Sequence, residues 1–480
     1  MHYGLTCLIL ILWLAVLDPG MGNIQAGGKD TLINSTFLGG PGRNVYGNRA
    51  PDRLELQWSL YLGEGETTLS RKAGNRTWKG CGWTGQPLLV ETEDTLYIIQ
   101  GAYDHHLKKI RASDGELIWQ YAFDDVIKGT GTLYRPPGKD QLIILQGSRL
   151  GLNKYLDHPM ITSYQAIDYH TGKALWKMNV PFFASYSRDV DGSALIVDSL
   201  AYLGLENGQF IVFDPRPEQA EIREGFLQPH ILESHRLYAL EDTRSHGLNL
   251  VTESSPCLLG NHIYITSGSG HVYGYHLETR QIDWDFITGS DMDGSPVVTS
   301  DSCLLVTLEK QHIPGKGGVM KLNPRKPPDS SCVEWFLPVG NAVVAEWKGG
   351  VIGSASVNDH TRPEGYPHIT AISALDSFLY IIDYKKTQPC KVLGPDNSTW
   401  YSKPVVLDSV IIGPSISTPV VVGDKIIAAG YWGIYLFEYS PEGRLKRLDA
   451  QPFGCEATPV VHENKVYIGS RNGYLYCFGN

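Results

Sequence analysis

Ionisable and aromatic side chains recur along the chain in short polar turns: Asp104 with His105, Lys128, Arg188 with Asp191, Glu206, Asp293, Glu309, Trp347, Asp359, Trp432 and Glu456. Carboxylates and cations that converge in a concavity make a binding site. Beside tryptophan faces they suit either a carbohydrate-like ligand or an extended peptide. Glu206, Asn207, Asp291 and Asp293 also carry oxygens of the kind a hard cation such as calcium requires. Other motifs say less. Gly268-Ser269-Gly270 leads into a strand, so it reads as a hairpin turn and not as a phosphate cradle. His105 and His106 point to opposite sides of an extended chain, so at most one can face a shared site. Trp83, among the glycines of "KGCGWTGQP", is either a stacking platform at a mouth or a ring buried between structural units.

Residues so far apart form a site only if the fold carries their turns to one rim. The closing stretch "ATPVVHENKVYIGSRNGYLYCFGN" holds three short strands joined by tight turns at Glu463-Asn464 and Arg471-Asn472-Gly473. Thr418-Pro419 and Thr458-Pro459 stand forty residues apart, as do Ser255-Pro256 and Ser295-Pro296. That period is the length of one four-stranded propeller blade of the WD40-like kind. A small residue or Pro before an apolar run marks eight starts, near Pro87, Thr132, Ser193, Pro256, Pro296, Ser354, Pro419 and Pro459. The longer gaps, 149–163, 216–252 and 358–367, read as insertions. Trp119, Trp176, Trp284 and Trp335 fall where each fourth strand begins, and the last unit lacks one. The isolated alternating strand "LELQWSLYL", 54–62 with Trp58, supplies it, which removes the open edge of the ring. The expected fold is therefore all-β, an eight-bladed β-propeller of four-stranded antiparallel blades, occupying 54–480 as one domain. Its mouth is framed by the connections from strand four to strand one and from strand two to strand three, where all of the residues named first are placed.

The pattern Ala-x-Asp-x-x-Thr-Gly-x-x-x-Trp, met at Ala166 to Trp176 and shortened at Ala112 to Trp119, resembles the tryptophan-docking repeat of the pyrroloquinoline-quinone (PQQ) type propellers. The resemblance covers roughly residues 55 to 480. It implies tryptophans packed between neighbouring blades, and it is shared by quinoprotein dehydrogenases and by cofactor-free members such as the assembly lipoprotein of the β-barrel insertion machinery. The dehydrogenases stack the quinone on a Trp under a disulfide of adjacent cysteines and chelate it through a cation held by Glu, Asn and Asp; here no two cysteines are adjacent. A fold resemblance leaves function to be argued from the site.

A formal net charge of -10 weighs against a nucleic-acid partner, which requires a basic stripe, and no such stripe stands in the sequence. The apolar run Leu5 to Leu17 is too short to span a bilayer and is followed by small residues, which predicts a signal peptide over 1–22, with cleavage as late as 26, and an extension over 23–53. Cys81, Cys257, Cys303, Cys332, Cys390, Cys455 and Cys477 are odd in number, so they are expected mostly buried, with one or two bridges. Asn34, Asn75 and Asn397 stand in Asn-x-Ser/Thr triplets. The expected protein is secreted or periplasmic, monomeric and without a transmembrane segment, binding a protein or carbohydrate ligand at its polar mouth with no cofactor. The alternatives are an oxidoreductase using PQQ or a metal such as calcium at that mouth, and a structural assembly scaffold.

Overall fold

The computed structural model describes residues 30–480, so the expected signal segment lies outside the described residues. The chain forms eight antiparallel blades of four strands each, blade 1 gaining a fifth. Blade 1 comprises Leu88–Thr92, Thr95–Gly101, His106–Arg111 and Leu117–Ala122. The innermost strands of blades 2 to 8 are Thr132–Tyr134, Leu195–Val197, Cys257–Leu259, Val297–Val298, Ser356–Val357, Val420–Val422 and Val460–His462. The ring closes as the sequence requires: Glu55–Tyr61 pairs with Tyr474–Gly479, from Glu55 opposite Gly479 to Tyr61 opposite Tyr474.

The repeated turn and tryptophan bind blades at five of the eight junctions. The indole N–H groups of Trp58, Trp119, Trp176, Trp284 and Trp335 donate to the carbonyls of Ala112, Tyr169, Pro215, Lys326 and Tyr384 on the following blades, each at 2.9 or 3.0 Å. The turn glycine is the seat. Gly115 and Gly172 have φ of +78° and +66°, and a Cβ on either would come within 2.8 Å of the Trp58 or Trp119 ring. Only glycine combines that backbone with that clearance.

A second ring runs inside the first. The small residues that mark the blade starts place a hydroxyl against the neighbouring blade: Ser255 accepts from Ser193 N–H, Ser295 from Ser255, Ser354 from Ser295 and Thr418 from Ser354, at 2.8–2.9 Å. Thr130 accepts from Gln86 N–H in the same way. Each bond pairs a buried backbone donor that an inner strand's end would otherwise leave unmade.

The segment ahead of the propeller is more than an extension, because it fills the channel from the face opposite the mouth. Asp30–Asn34 pairs with Leu88–Thr92 of blade 1. The carbonyls of Ser35, Pro41 and Gly42 then accept from Leu133, Leu258 and Val298 of blades 2, 4 and 5, and the Tyr46 hydroxyl accepts from Val357 of blade 6. Arg43, wholly buried, donates to Thr36 Oγ1 and to the carbonyls of Phe37, Ser193 and Pro256. Phe37, Leu38 and Tyr46 join the largest apolar core.

Three expectations need correction. The fourth strand of blade 3, His230–Arg236, lies inside the stretch read as an insertion, because a two-stranded hairpin, Glu221–Arg223 with Phe226–Gln228, precedes it. No disulfide forms among the described residues; six cysteines are buried thiols and Cys390 is exposed. Asp359 is not at the mouth: it follows Ser356–Val357, the first strand of blade 6, and so belongs to the opposite face, where it accepts from Tyr384 Oη and Ser300 N–H.

Candidate functional site

The inner ring of hydroxyls sets what the mouth displays. Two residues before each ring position the chain presents, in order round the channel, Thr84, Lys128, Asp191, Glu253, Asp293, Ile352, Ile416 and Glu456. The mouth is therefore two-sided. Blades 2 to 5 contribute Lys128, Asp191, Glu253 and Asp293, whereas Ile352 and Ile416 form an apolar patch covered by Trp83 and Trp347. The two indoles lie 5.7 Å apart between centroids, and Trp83 Nε1–H donates to Glu253 Oε2 at 2.7 Å, which ties the aromatic side to the acidic one. Trp83 is thus a platform at the mouth.

The turns between second and third strands add Arg149, Glu206, Glu309 and Gln311, and a hairpin of Glu64–Ser70 with Gly74–Lys79 brings Trp78 over the rim. Together these groups enclose a cavity of about 490 Å³. Beneath it a throat of about 20 Å³, room for about one water, ends on Phe37 of the plug, so the pocket is blind.

Acids outnumber cations. Lys128 Nζ lies 2.6 Å from Asp191, 3.5 Å from Asp189 and 3.9 Å from Glu206, and Arg149 Nε lies 2.8 Å from Asp189. Burial works against the Lys128 charge, but the carboxylates of Asp191, Glu206, Glu253 and Asp189 outweigh it and hold the ammonium well above its ordinary pKa. Asp189 is held below the carboxylate range despite its burial by Arg149 and Lys128. Its neighbours are not so served. Burial lifts Asp191 even against Lys128, and lifts Glu206 and Glu253 well above the usual range. Asp291, Asp293 and Glu309 form a second group whose carboxylate oxygens lie within 4.8 Å of one another, as do those of Asp191, Glu206 and Glu253. Asp291 accepts from the amides of Asn249 and Gln311, at 2.6 and 3.0 Å, while Asp293 and Glu309 hydrogen-bond each other. Burial raises Asp291 to about 6; for Asp293 burial and then Glu309 and Asp291 raise it well above the normal range, and Glu309 follows. Carboxyls so placed resist ionising together.

Of the residues chosen from sequence, Lys128, Asp191, Glu206, Asp293, Glu309 and Trp347 converge on this cavity or its throat. The others do not line it. Asp104 pairs with Lys108, and the His105 ring meets the Glu66 carbonyl under the rim hairpin. Arg188 is buried, donating to the carbonyls of Val180, Leu156 and His158. Glu456 accepts from Arg471 and from Tyr431 Oη across the mouth, and Trp432 stands exposed at the rim. Asp291 was named from sequence only as an oxygen donor for a cation and Trp83 only as one of two readings, while Glu253 and Trp78 were not among the chosen binding residues. Glu253 and Asp291 were legible as the residue before the Ser-Ser-Pro start and the first of Asp-Met-Asp-Gly-Ser-Pro; Trp78 sits on a hairpin that no repeat announces.

No family model matches the chain, and no curated protein matches it. Among solved structures it is similar to BamB from Moraxella catarrhalis, with a TM-score of 0.53 at 12% identity, covering 89% of this chain and 100% of that one. It is also similar to the quinohemoprotein alcohol dehydrogenase from Comamonas testosteroni, with a TM-score of 0.56 at 13% identity, covering 93% and 80%. Identities this low speak to architecture alone: the chain shares its propeller fold with BamB and with a quinohemoprotein dehydrogenase.

Proposed function

We propose that this protein is a binding propeller of an exported compartment, secreted or periplasmic, that takes a peptide or carbohydrate-like ligand into the blind pocket at its mouth. One observation carries the reading: the pocket sets paired indoles on an apolar floor against a bank of carboxylates whose hydrogen-bonding capacity is partly unused. Such a surface meets one face of a ligand with aromatic contact and the other with acceptors.

The anionic quinone suggested by the fold fits poorly. Asp189, Glu206, Glu253, Asp291, Asp293, Glu309 and Glu346 line the cavity against Lys128 and Arg149, both already paired, and no two cysteines are adjacent to cover a quinone. A cation fits by charge and by donor chemistry, and Asp291, Asp293 and Glu309 are the residues that would hold calcium there. Among the described residues no helix is long and apolar enough to cross a membrane.

Peptide and glycan arrays probed with the wild-type protein and with Trp347→Ala and Glu309→Gln test the reading. Bound species lost from both variants are expected. Species that both variants retain, or none bound by the wild type, would overturn it.

A further inference from the structure

The pocket contains two close groups of three carboxylates. In one group Asp191, Glu206 and Glu253 surround the Lys128 ammonium, which also lies 5.2 Å from the centre of the Trp83 ring. An alkylammonium on carboxylates beside an indole face is a cation–π arrangement in a desolvated site. In the other group Asp291, Asp293 and Glu309 stand equally close together, on the same cavity wall, with Trp347 next to Trp83. Among the described residues no ammonium or guanidinium pairs with these three acids, since the cavity's Lys128 and Arg149 are bound to the Asp189 and Asp191 side. Asp291 is 5% exposed, and no donor meets its Oδ1 in hydrogen-bond geometry. Glu206 Oε1, on the shared wall, is likewise buried without a hydrogen bond.

We infer that the second acid triad receives the positively charged end of the ligand, an alkylammonium such as a lysine side chain or a polyamine terminus, in the way that Lys128 occupies the first. The inference rests on the mouth being the binding site and adds the class of group it selects. An ammonium would sit among the carboxylates in a cavity that Trp83 and Trp347 also line, so the chain that carries it has indole faces within the same pocket. Calcium would use the same carboxylates with water completing its six to eight oxygens, so it is the competing occupant that the titration must separate from an ammonium.

Titration of the full-length mature protein with 1,5-diaminopentane and with Nα-acetyl-lysine amide, followed by calorimetry and tryptophan fluorescence, tests this. Both probes are expected to bind with a fluorescence change, and the neutral Nα-acetyl-glutamine amide at least tenfold more weakly. Asp293→Asn and Glu309→Gln, whose folding is checked by thermal melting, should weaken the ammonium probes at least tenfold. Equal binding of the neutral probe overturns the inference without needing any variant. Binding of calcium chloride alone, lost in the same variants and competing with the amines, overturns it in favour of a metal site. Array ligands lost in Trp347→Ala while neither amine binds would sink this inference and leave the broader reading standing; array ligands kept by Trp347→Ala and Glu309→Gln would sink both.

Discussion

The Lys128 ammonium lies 2.6 Å from a carboxylate oxygen of Asp191, with both side chains almost wholly out of water. Breaking a buried ion pair from one side leaves a desolvated charge, which costs about 3–5 kcal/mol. Here Lys128 also offsets Asp189 and Glu206. Lys128→Met should therefore lose stability on that scale in urea unfolding at pH 7.5, and distinctly less at pH 5.5, where the orphaned acids take up protons. An equal loss at both pH values would show that Lys128 acts by packing and not by charge.

The second triad makes the ligand-free protein more stable in mild acid. Burial raises Asp291 from 3.8 to about 6. A raised carboxyl pKa means that the fold favours the protonated form, so its contribution is complete below about pH 4 and lost as pH rises through about 6. The difference is on the order of 1–3 kcal/mol. The melting temperature should fall from pH 5 to pH 7.5, and Asp291→Asn should flatten that slope. Diaminopentane at saturation should do the same in the wild type.

Arg43 holds the plug by its guanidinium alone, with neutral partners. It donates to Thr36 Oγ1 and three carbonyls, and burial lowers its pKa to about 10. Arg43→Met leaves those buried acceptors unpaired, at about 1–3 kcal/mol for each group that finds no water. Limited proteolysis should then cut within 30–50 before the blades, because that segment is bonded to the blades largely one contact at a time. Unchanged melting and resistance to cutting would mean that the strand Asp30–Asn34 anchors the plug by itself.

The tryptophan girdle predicts coupled losses. Gly172→Ala places a Cβ 2.8 Å from the Trp119 ring at a φ of +66°, and should cost roughly 1–2 kcal/mol from backbone strain alone. Trp119→Phe removes the N–H donated to the Tyr169 carbonyl, for about 1 kcal/mol. Since the two side chains share one contact, the double mutant should lose less than the sum in a denaturant cycle. Strict additivity would dissociate the turn from the ring it seats.

Much of the architecture is legible because it is local and repeated. The turn before Trp176, the Ser-Pro and Thr-Pro starts and the lone strand around Trp58 each state a short-range preference, and copying makes the preference readable. The site was legible in part for the same reason: Lys128, Asp191 and Asp293 stand two residues before a ring position, so the repeat itself carries them to the mouth. Asp359 was misplaced because the innermost strand of blade 6 is only Ser356–Val357, too short to announce which turn follows it. Arg188 and Asp191 are close in sequence, yet one is spent on backbone carbonyls and the other faces the throat.

Composition and periodicity by themselves determined the number of blades, the closing strand and the acidic excess, since hydrophobic pattern and turn chemistry act within a few residues. Tertiary structure alone decided that residues 30–50 stop the channel, that Trp83 and Trp347 lie 5.7 Å apart, and that Lys128 fills one acid triad while no other cation of the described residues pairs with the second. Those outcomes depend on which side chains meet across hundreds of residues, and burial and Coulomb energy act on distance in space, which no spacing along a chain records.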